Sequence, residues 1–314
     1  MKITVLTPKS EFTKTQQATL SRIGEVVYTD SRREYPINEL VKLAKGSDIL
    51  AIDPDNLGGF EIAPTRLLQI FKQTPTLRGL ALSTTSYGYF DRKYCQDRGI
   101  KVTNVPHYST QSVAELAISM LLGCAKHIFR TDRETQRGEY HLHMGQEVSG
   151  KTLGIIGLGS IGQKTTQLAG GLGMKVLAWN RTKKKIPGVK SVSLARVLRE
   201  SDFISLHLAD TPQTISFLGK TELSNMKRGA IIINVSSRDL VNEKDMAKVL
   251  KSGRVASYML EAEDFSNSPI SVLENVYMFK GFGWYTKEAL ARNKEIWVAN
   301  IVSMARGKPT NLVS

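Results

Sequence analysis

The feature that most constrains this chain is a glycine pattern, Gly157-x-Gly159-x-x-Gly162, that follows directly on the apolar run Leu153-Gly-Ile-Ile156. Between a strand and a helix such a pattern has a mechanism. The first glycine makes the tight turn, the second lets the backbone approach a pyrophosphate, and the third lets helix and strand pack closely, while the helix N-terminus offers free N–H groups to the anion. Three glycines alone are a weak signal, but residues 163–172 read as a helix and residues 174–179, Met-Lys-Val-Leu-Ala-Trp, as a second strand. That strand ends about 20 residues beyond the glycines, where a residue that reads a ribose is expected. The turn therefore assigns Gly157, Gly159, Ser160, Ile161 and Gly162 to dinucleotide binding.

Composition limits the remaining choices. A chain of 314 residues has room for two domains with proper cores, and 41% hydrophobic with 23% charged residues is a globular balance. The opening Met1-Lys-Ile-Thr-Val-Leu-Thr-Pro8 reads as a first strand and not as an export signal. Residues 114–125 form the longest apolar stretch, but Glu115 interrupts it and it falls short of a membrane span, so no membrane association is expected. Two cysteines, Cys95 and Cys124, give neither a disulfide framework nor a metal-ligand spacing. A reducing cytoplasm is the expected location, and no metal site is expected. The net charge of +14 is spread along the chain, with short clusters at Arg32-Arg33 and Arg181-Thr-Lys-Lys-Lys185. With no zinc-finger spacing or basic heptads, it reads as solvated surface that steers anionic ligands and not as a nucleic-acid footprint.

Residues 1–105 alternate short β-branched or apolar runs (2–6, 25–28, 48–52, 80–83, 101–105) with helix-like polar segments (11–23, 37–45, 64–73, 92–98). Such alternation predicts a parallel sheet flanked by helices, with ligands at the carboxyl ends of the strands. Those ends here are Asp53-Pro-Asp-Asn-Leu57 and Ser83-Thr-Thr-Ser-Tyr87. After Pro106 the periodicity predicts one long helix with Ser109 or Thr110 as N-cap, running to about Arg137. Residues 151–285 supply a second alternating array, and residues 286–306 a last amphipathic helix that returns to the first domain. The fold class is α/β with two doubly wound parallel-sheet domains.

With these pieces placed, the chain resembles the D-2-hydroxyacid dehydrogenase family over nearly its whole length. The resemblance rests on residues 101–115, on Gly150 through Gly162, on Ser205-Leu-His-Leu-Ala-Asp-Thr-Pro212 and on Thr286-Lys-Glu-Ala289. It implies a flavodoxin-like substrate domain (1–105 and 286–314), an inserted Rossmann nucleotide domain (106–285), a cleft between them, and a homodimer through the nucleotide domain. It also implies cofactor contacts at His207, Val235, Ser236 and Glu261, and substrate contacts at Thr85, Ser86, Tyr87 and Tyr108. The family reduces 2-oxo acids with an arginine on the carboxylate, a histidine that supplies the proton and a glutamate paired with that histidine. Carried over position by position, those places hold Ser237, Gly281 and Ser266.

Hydride addition to a ketone creates an alkoxide that needs a proton donor or a held positive charge, and a positioned general acid contributes roughly 10²–10⁴-fold in rate. Arg238 lies one residue past the arginine place and Lys280 one before the histidine place, so these cations are the substitute catalytic candidates; adjacent strand residues would face opposite ways. Glu263 and Asp264 are possible acids or a solvated loop. His127 falls on the long helix, and His141 and His143 read as surface loop. In the substrate turn, Ser86 stands where the family commonly has glycine.

For the cofactor, Asn180 replaces the acid that usually accepts bonds from the ribose hydroxyls, and Arg181, Thr182 and Lys183 can meet a 2′-phosphate, which favours NADP(H) over NAD(H). Three readings stay open. The first is a reductase acting on an imine, an activated alkene or an unusual oxo acid, since hydride addition to an iminium makes no oxyanion. The second is a catalytically inactive nucleotide-binding sensor or partner protein, and the third an ordinary 2-hydroxyacid dehydrogenase, acting on a small-molecule substrate, that uses Arg238 and Lys280.

Overall fold

Central parallel strands must bury both faces, and the near-continuous apolar runs of the chain do so in each of two units. The computed structural model describes residues 1–262 and 264–313. The first unit, Met1–Tyr108 with Lys287–Ser314, begins with β1 (Lys2–Pro8), α1 (Lys14–Ser21), β2 (Glu25–Thr29), α2 (Ile37–Ala44), β3 (Ile49–Ile52), α3 (Ala63–Gln73), β4 (Gly79–Leu82), α4 (Arg92–Asp97) and β5 (Lys101–Thr103). Its five strands are all parallel in the order β2-β1-β3-β4-β5. That is the flavodoxin-like winding, with its switch point between β1 and β3. Helix starts carry the expected chemistry: Thr13 and Gln16 form a reciprocal capping box on α1, and Asp91 accepts from Tyr94 N on α4.

The second unit, Ser109–Thr286, contains α5 (Thr110–Ala125), α6 (Ile128–Gln136), β6 (Thr152–Ile156), α7 (Ser160–Gly171), β7 (Lys175–Trp179), β8 (Val189–Ser191), α8 (Leu194–Glu200), β9 (Phe203–Leu206), α9 (Lys220–Ser224), β10 (Ala230–Asn234), α10 (Glu243–Lys251), β11 (Val255–Glu261) and β12 (Val276–Phe279). Its seven parallel strands run β12-β11-β10-β9-β6-β7-β8. The order reverses between β6 and β9, which is where a doubly wound sheet opens its ligand crevice.

One expectation is corrected. The helix predicted to run from residue 110 to about Arg137 is two helices, α5 and α6, bent by 64°. His127 at the joint adopts the left-handed conformation (φ 54°), and Phe129 just beyond it packs onto Gly123 so closely that no Cβ fits there. Helical periodicity survives a break of this length, so the hydrophobic pattern alone does not reveal it. Among the described residues no single helix is long and apolar enough to cross a membrane; α5, the most apolar, is a buried core helix of its unit.

The last helix, α11 (Lys287–Ala305), belongs to the first unit, and its buried side chains answer backbone carbonyls of that unit. Trp297 is fully buried and donates from Nε1 to Ala81 O at 2.9 Å. Asn293 donates to Ser83 O at 2.6 Å, and Asn300 to Asn104 O at 2.7 Å. A buried carbonyl left without a donor costs about 1–3 kcal/mol, so these three bonds fix the helix's register on β4 as well as its face. Replacing Trp297 by alanine removes a large core side chain and orphans a carbonyl. We expect a loss of about 3–5 kcal/mol in the first unit, read as an earlier urea transition.

Candidate functional site

Building the carboxyl edge of the second sheet begins at the glycine turn. Gly157 takes φ 103°, and a Cβ there would lie 2.5 Å from His207 O and 2.7 Å from His207 C. Only glycine fits. A Cβ on Gly162 would collide with the carbonyl oxygen of Gly157, so α7 starts in direct contact with the turn. Gly159 is different: a Cβ there would meet nothing within 4 Å. As N-cap it supplies no side-chain acceptor to α7, so the first-turn N–H groups face an open side. The turn is otherwise pinned, by Gly157 N to Trp179 O at 2.9 Å and Leu158 N to Asn180 Oδ1 at 2.8 Å. An open glycine and a helix N-terminus without a side-chain cap are what a pyrophosphate needs, and the residues present fit a dinucleotide.

Asn180 sits at the end of β7, and its amide nitrogen donates to Thr182 O at 2.7 Å. Arg181, Thr182 and Lys183 are exposed beside it. A third cation was not singled out by the sequence: Lys184 places Nζ 2.9 Å from Leu158 O, against the glycine turn itself. Its only sequence signal is membership of the Arg181–Lys185 run.

His207 follows β9, with its amide donating to Ile156 O at 2.8 Å and its Nε2 2.9 Å from Ser205 Oγ. Its Nδ1 is buried without a hydrogen-bond partner among the described residues, and burial pushes the imidazole down to about 3. The side chain is therefore a neutral wall at neutral pH and not a proton donor. Beyond β10, Val235 is buried and Ser236 donates to Leu206 O at 3.0 Å. Glu261, buried at the end of β11, accepts from the amides of Phe282 (3.1 Å) and Gly283 (3.0 Å).

The candidate catalytic residues are placed as follows. Arg238 lies in a short 3-10 turn and not on a strand, so strand alternation does not set its direction. Its guanidinium forks onto Glu243 (2.7 and 2.9 Å) and donates to the backbone carbonyls of Asp264 (3.0 Å) and Ser266 (3.3 Å). It ties the loop after β11 to the start of α10. Ser237 donates to Asp210 Oδ2 at 3.0 Å, and Ser266 and Asp264 bond one another. Lys280 is exposed, with no ion pair among the described residues. At Gly281 the carbonyl accepts the Trp284 indole N–H at 3.1 Å, and Trp284 meets Tyr285 edge to face at 5.2 Å. Ser112 donates to Gly283 O, so this aromatic segment is clamped between α5 and Glu261. Glu263 lies outside the described residues.

In the first unit, the Ser83–Tyr87 turn closes with Thr85 Oγ1 on Val105 O (2.8 Å) and Asn104 Nδ2 on Thr85 O (2.7 Å). Ser86 is exposed, and Tyr87 lies under the Arg92 guanidinium at 5.5 Å. Tyr108 packs against that unit's core, and its carbonyl accepts from Arg292 Nε at 2.9 Å.

The winding order, the glycine turn and the open α7 N-terminus together define a Rossmann-type nucleotide-binding unit. Residues 118–279 match the model of the D-isomer specific 2-hydroxyacid dehydrogenase NAD binding domain. The chain is 33% identical to a glyoxylate reductase of Korarchaeum cryptofilum over 78% of its length and 79% of the relative's. It is 31% identical to a hydroxypyruvate reductase of Blautia hydrogenotrophica over 94% of each chain. A solved structure of an acyclic imino acid reductase (Bsp5) in complex with NADPH and D-Arg superposes with a TM-score of 0.84 over 100% of both chains at 28% identity. The chain belongs to the D-2-hydroxyacid dehydrogenase family, a family of oxidoreductases, and its second unit carries the NAD-binding domain.

Two outcomes test this site. Gly159→Val meets nothing near its Cβ in the ligand-free fold and loses only the N-cap preference of glycine, about 1 kcal/mol, yet fills the side that a pyrophosphate needs; cofactor affinity should fall at least tenfold while the melting temperature drops by no more than a few degrees. The His207 imidazole stays neutral in the fold down to about pH 3, whereas the unfolded residue takes a proton near its usual 6.5, so protonation draws the chain toward unfolding as pH falls through that window. Relative to His207→Gln, the wild-type second unit should lose about 1–2 kcal/mol more between pH 7 and pH 5 in urea titrations.

Proposed function

We propose that the chain is an NADP(H)-dependent reductase that delivers hydride to an imine or iminium carbon, with activated alkenes and unusual oxo acids as the wider substrate class. When bound, the reduced nicotinamide supplies the hydride. The observation that carries the reading is the carboxyl edge from β10 to β12. Ser237 is held by Asp210, Arg238 is consumed by Glu243 and two carbonyls, and the place at Gly281 is covered by the Trp284 indole. Among the described residues of that edge no arginine is left to fork onto a carboxylate, Lys280 is exposed without an ion pair, and His207 is held neutral. An iminium carbon accepts hydride with loss of its positive charge, so the chain need supply no proton at that step. The aromatic pair Trp284–Tyr285 suits such a substrate, because a ring face attracts a cation without needing a counter-charge. The imino acid reductase with NADPH among similar structures supports the same direction.

Preference for NADP(H) is supported by Asn180 in place of an acid, by exposed Arg181, Thr182 and Lys183, and by Lys184 at the turn. A carboxylate at residue 180 would repel a 2′-phosphate, while a charge-assisted bond to one contributes about 1.5–3 kcal/mol. We also propose a cytoplasmic homodimer through the second unit, supported by Tyr140, Leu142 and Met144, which are 85%, 85% and 94% exposed on one short segment of it.

Glyoxylate and hydroxypyruvate reductases among the relatives favour a second reading, ordinary 2-oxo acid reduction with Lys280 as the available cation. Nicotinamide fluorescence titration with NADPH and NADH, followed in the same cuvette by glyoxylate, pyruvate and a cyclic imine, separates the two. The first reading expects tighter NADPH binding and oxidation by the imine alone. It also expects Arg181→Ala to weaken NADPH about tenfold and leave NADH within twofold. Glyoxylate turnover that Arg238→Ala or Lys280→Ala abolishes would establish the second, and tight binding with no turnover would leave a nucleotide sensor.

A further inference from the structure

Three of the chain's five histidines gather along α6: His127 at its start, and His141 and His143 on the segment that follows it and turns back toward β6. The turn is pinned at both ends. Gly138, at φ 75°, returns the chain so that Glu139 N donates to Glu134 O at 3.0 Å, and Gln146 N donates to Ala125 O at 2.8 Å. Glu134, whose side chain is only 13% exposed, is the hub: Oε1 accepts from Arg130 Nε at 2.9 Å and Oε2 from His143 Nε2 at 2.6 Å. His141 Nδ1 lies 3.8 Å from the same Oε2. Ligand atoms of Glu134, Glu139 and His141 all fall within 4.8 Å of one another. His127 braces the group from behind, with its ring 5.8 Å from that of His143 and Nε2 3.3 Å from Met144 O.

We propose that Glu134, Glu139 and His141 form a divalent transition-metal site, of which zinc is the chemical type, with His143 and Arg130 orienting Glu134. Imidazole nitrogen with carboxylate oxygen is a zinc-type donor set at about 2.0–2.2 Å per bond, which puts tetrahedral ligands about 3.4 Å apart. Reaching that spacing takes rotation of Glu139 and His141, both exposed, and no movement of the half-buried hub. The carboxylate oxygen that already accepts from His143 keeps a second lone pair for the metal, and the two neighbours that hold Glu134 play the part outer partners play around metal ligands. The bound ion ties the last turn of α6 to the segment that carries Tyr140, Leu142 and Met144, so it fixes how that apolar segment is presented. The site lies apart from the glycine turn and needs no cofactor.

The test uses the full-length chain stripped with a chelator and then titrated with zinc against a chromophoric competitor, with cobalt as a spectroscopic substitute. The expected result is one equivalent at low-micromolar affinity or tighter, weakened at least tenfold by Glu139→Gln and by His141→Ala. Asp132→Asn, on the exposed face of α6, should change it less than twofold. Cobalt should give visible d–d bands that both substitutions remove. Affinity weaker than about 100 µM, or binding that survives both substitutions, overturns the proposal.

Discussion

The second unit depends on one close approach: the backbone of Gly157 lying against the carbonyl of His207. That contact joins β6 to β9 at the point where the winding order reverses, and a crevice can open there only if two chain segments leave the sheet in opposite directions. It also explains why His207 is neutral. Its Nδ1 is buried without a partner among the described residues, and burial alone disfavours the charged form. The same geometry carries α7 over the turn and leaves Gly159 as the open position.

A second constraint governs the opposite end of that edge, where Arg238 is engaged before any ligand arrives. The fork of Arg238 onto Glu243, backed by Ser268 on the same carboxylate at 2.9 Å, spends a bidentate pair on loop architecture. Losing one partner would strand a partly buried charge, which costs more than the pair contributes. An arginine so placed cannot also grip a substrate carboxylate without releasing the loop after β11. The neighbouring segment is fixed by two amides on the Glu261 carboxylate and an indole on Gly281 O.

The fold was largely legible because its signals are local. Apolar runs such as Ile231-Ile-Ile233, the glycine turn and the capping residues each act within a few positions, and the parallel order follows once strands and helices alternate. What was not legible depends on side chains meeting across turns. Nothing in the spacing of Arg238 and Glu243 announces a fork, because a 3-10 turn sets their facing and not a regular helix. The bend at His127 hides for a related reason: a left-handed residue between two helices keeps the apolar positions nearly in phase. Histidines 141 and 143 read as loop, which they are, yet Glu134 lies a turn away on α6 and only the fold brings it to them.

Charge distribution ties the two ends of the edge together. Many of the chain's cations are individually answered: Arg32 by Glu11, Asp53 and Asp55, Arg238 by Glu243, Arg130 by Glu134. The run from Arg181 to Lys185 is left exposed, and it stands at the end of β7 beside the positive end of α7. Positive charge near a helix N-terminus is unfavourable by roughly 0.3–1 kcal/mol per group, and Lys184, drawn onto Leu158 O, relieves only part of it. An anion seated in the turn adds an attraction to each of these cations and to the helix N-terminus at once, which offsets that repulsion. An assembly that is mutually repulsive when empty and mutually attractive around phosphate couples the order of its basic loop to ligand binding.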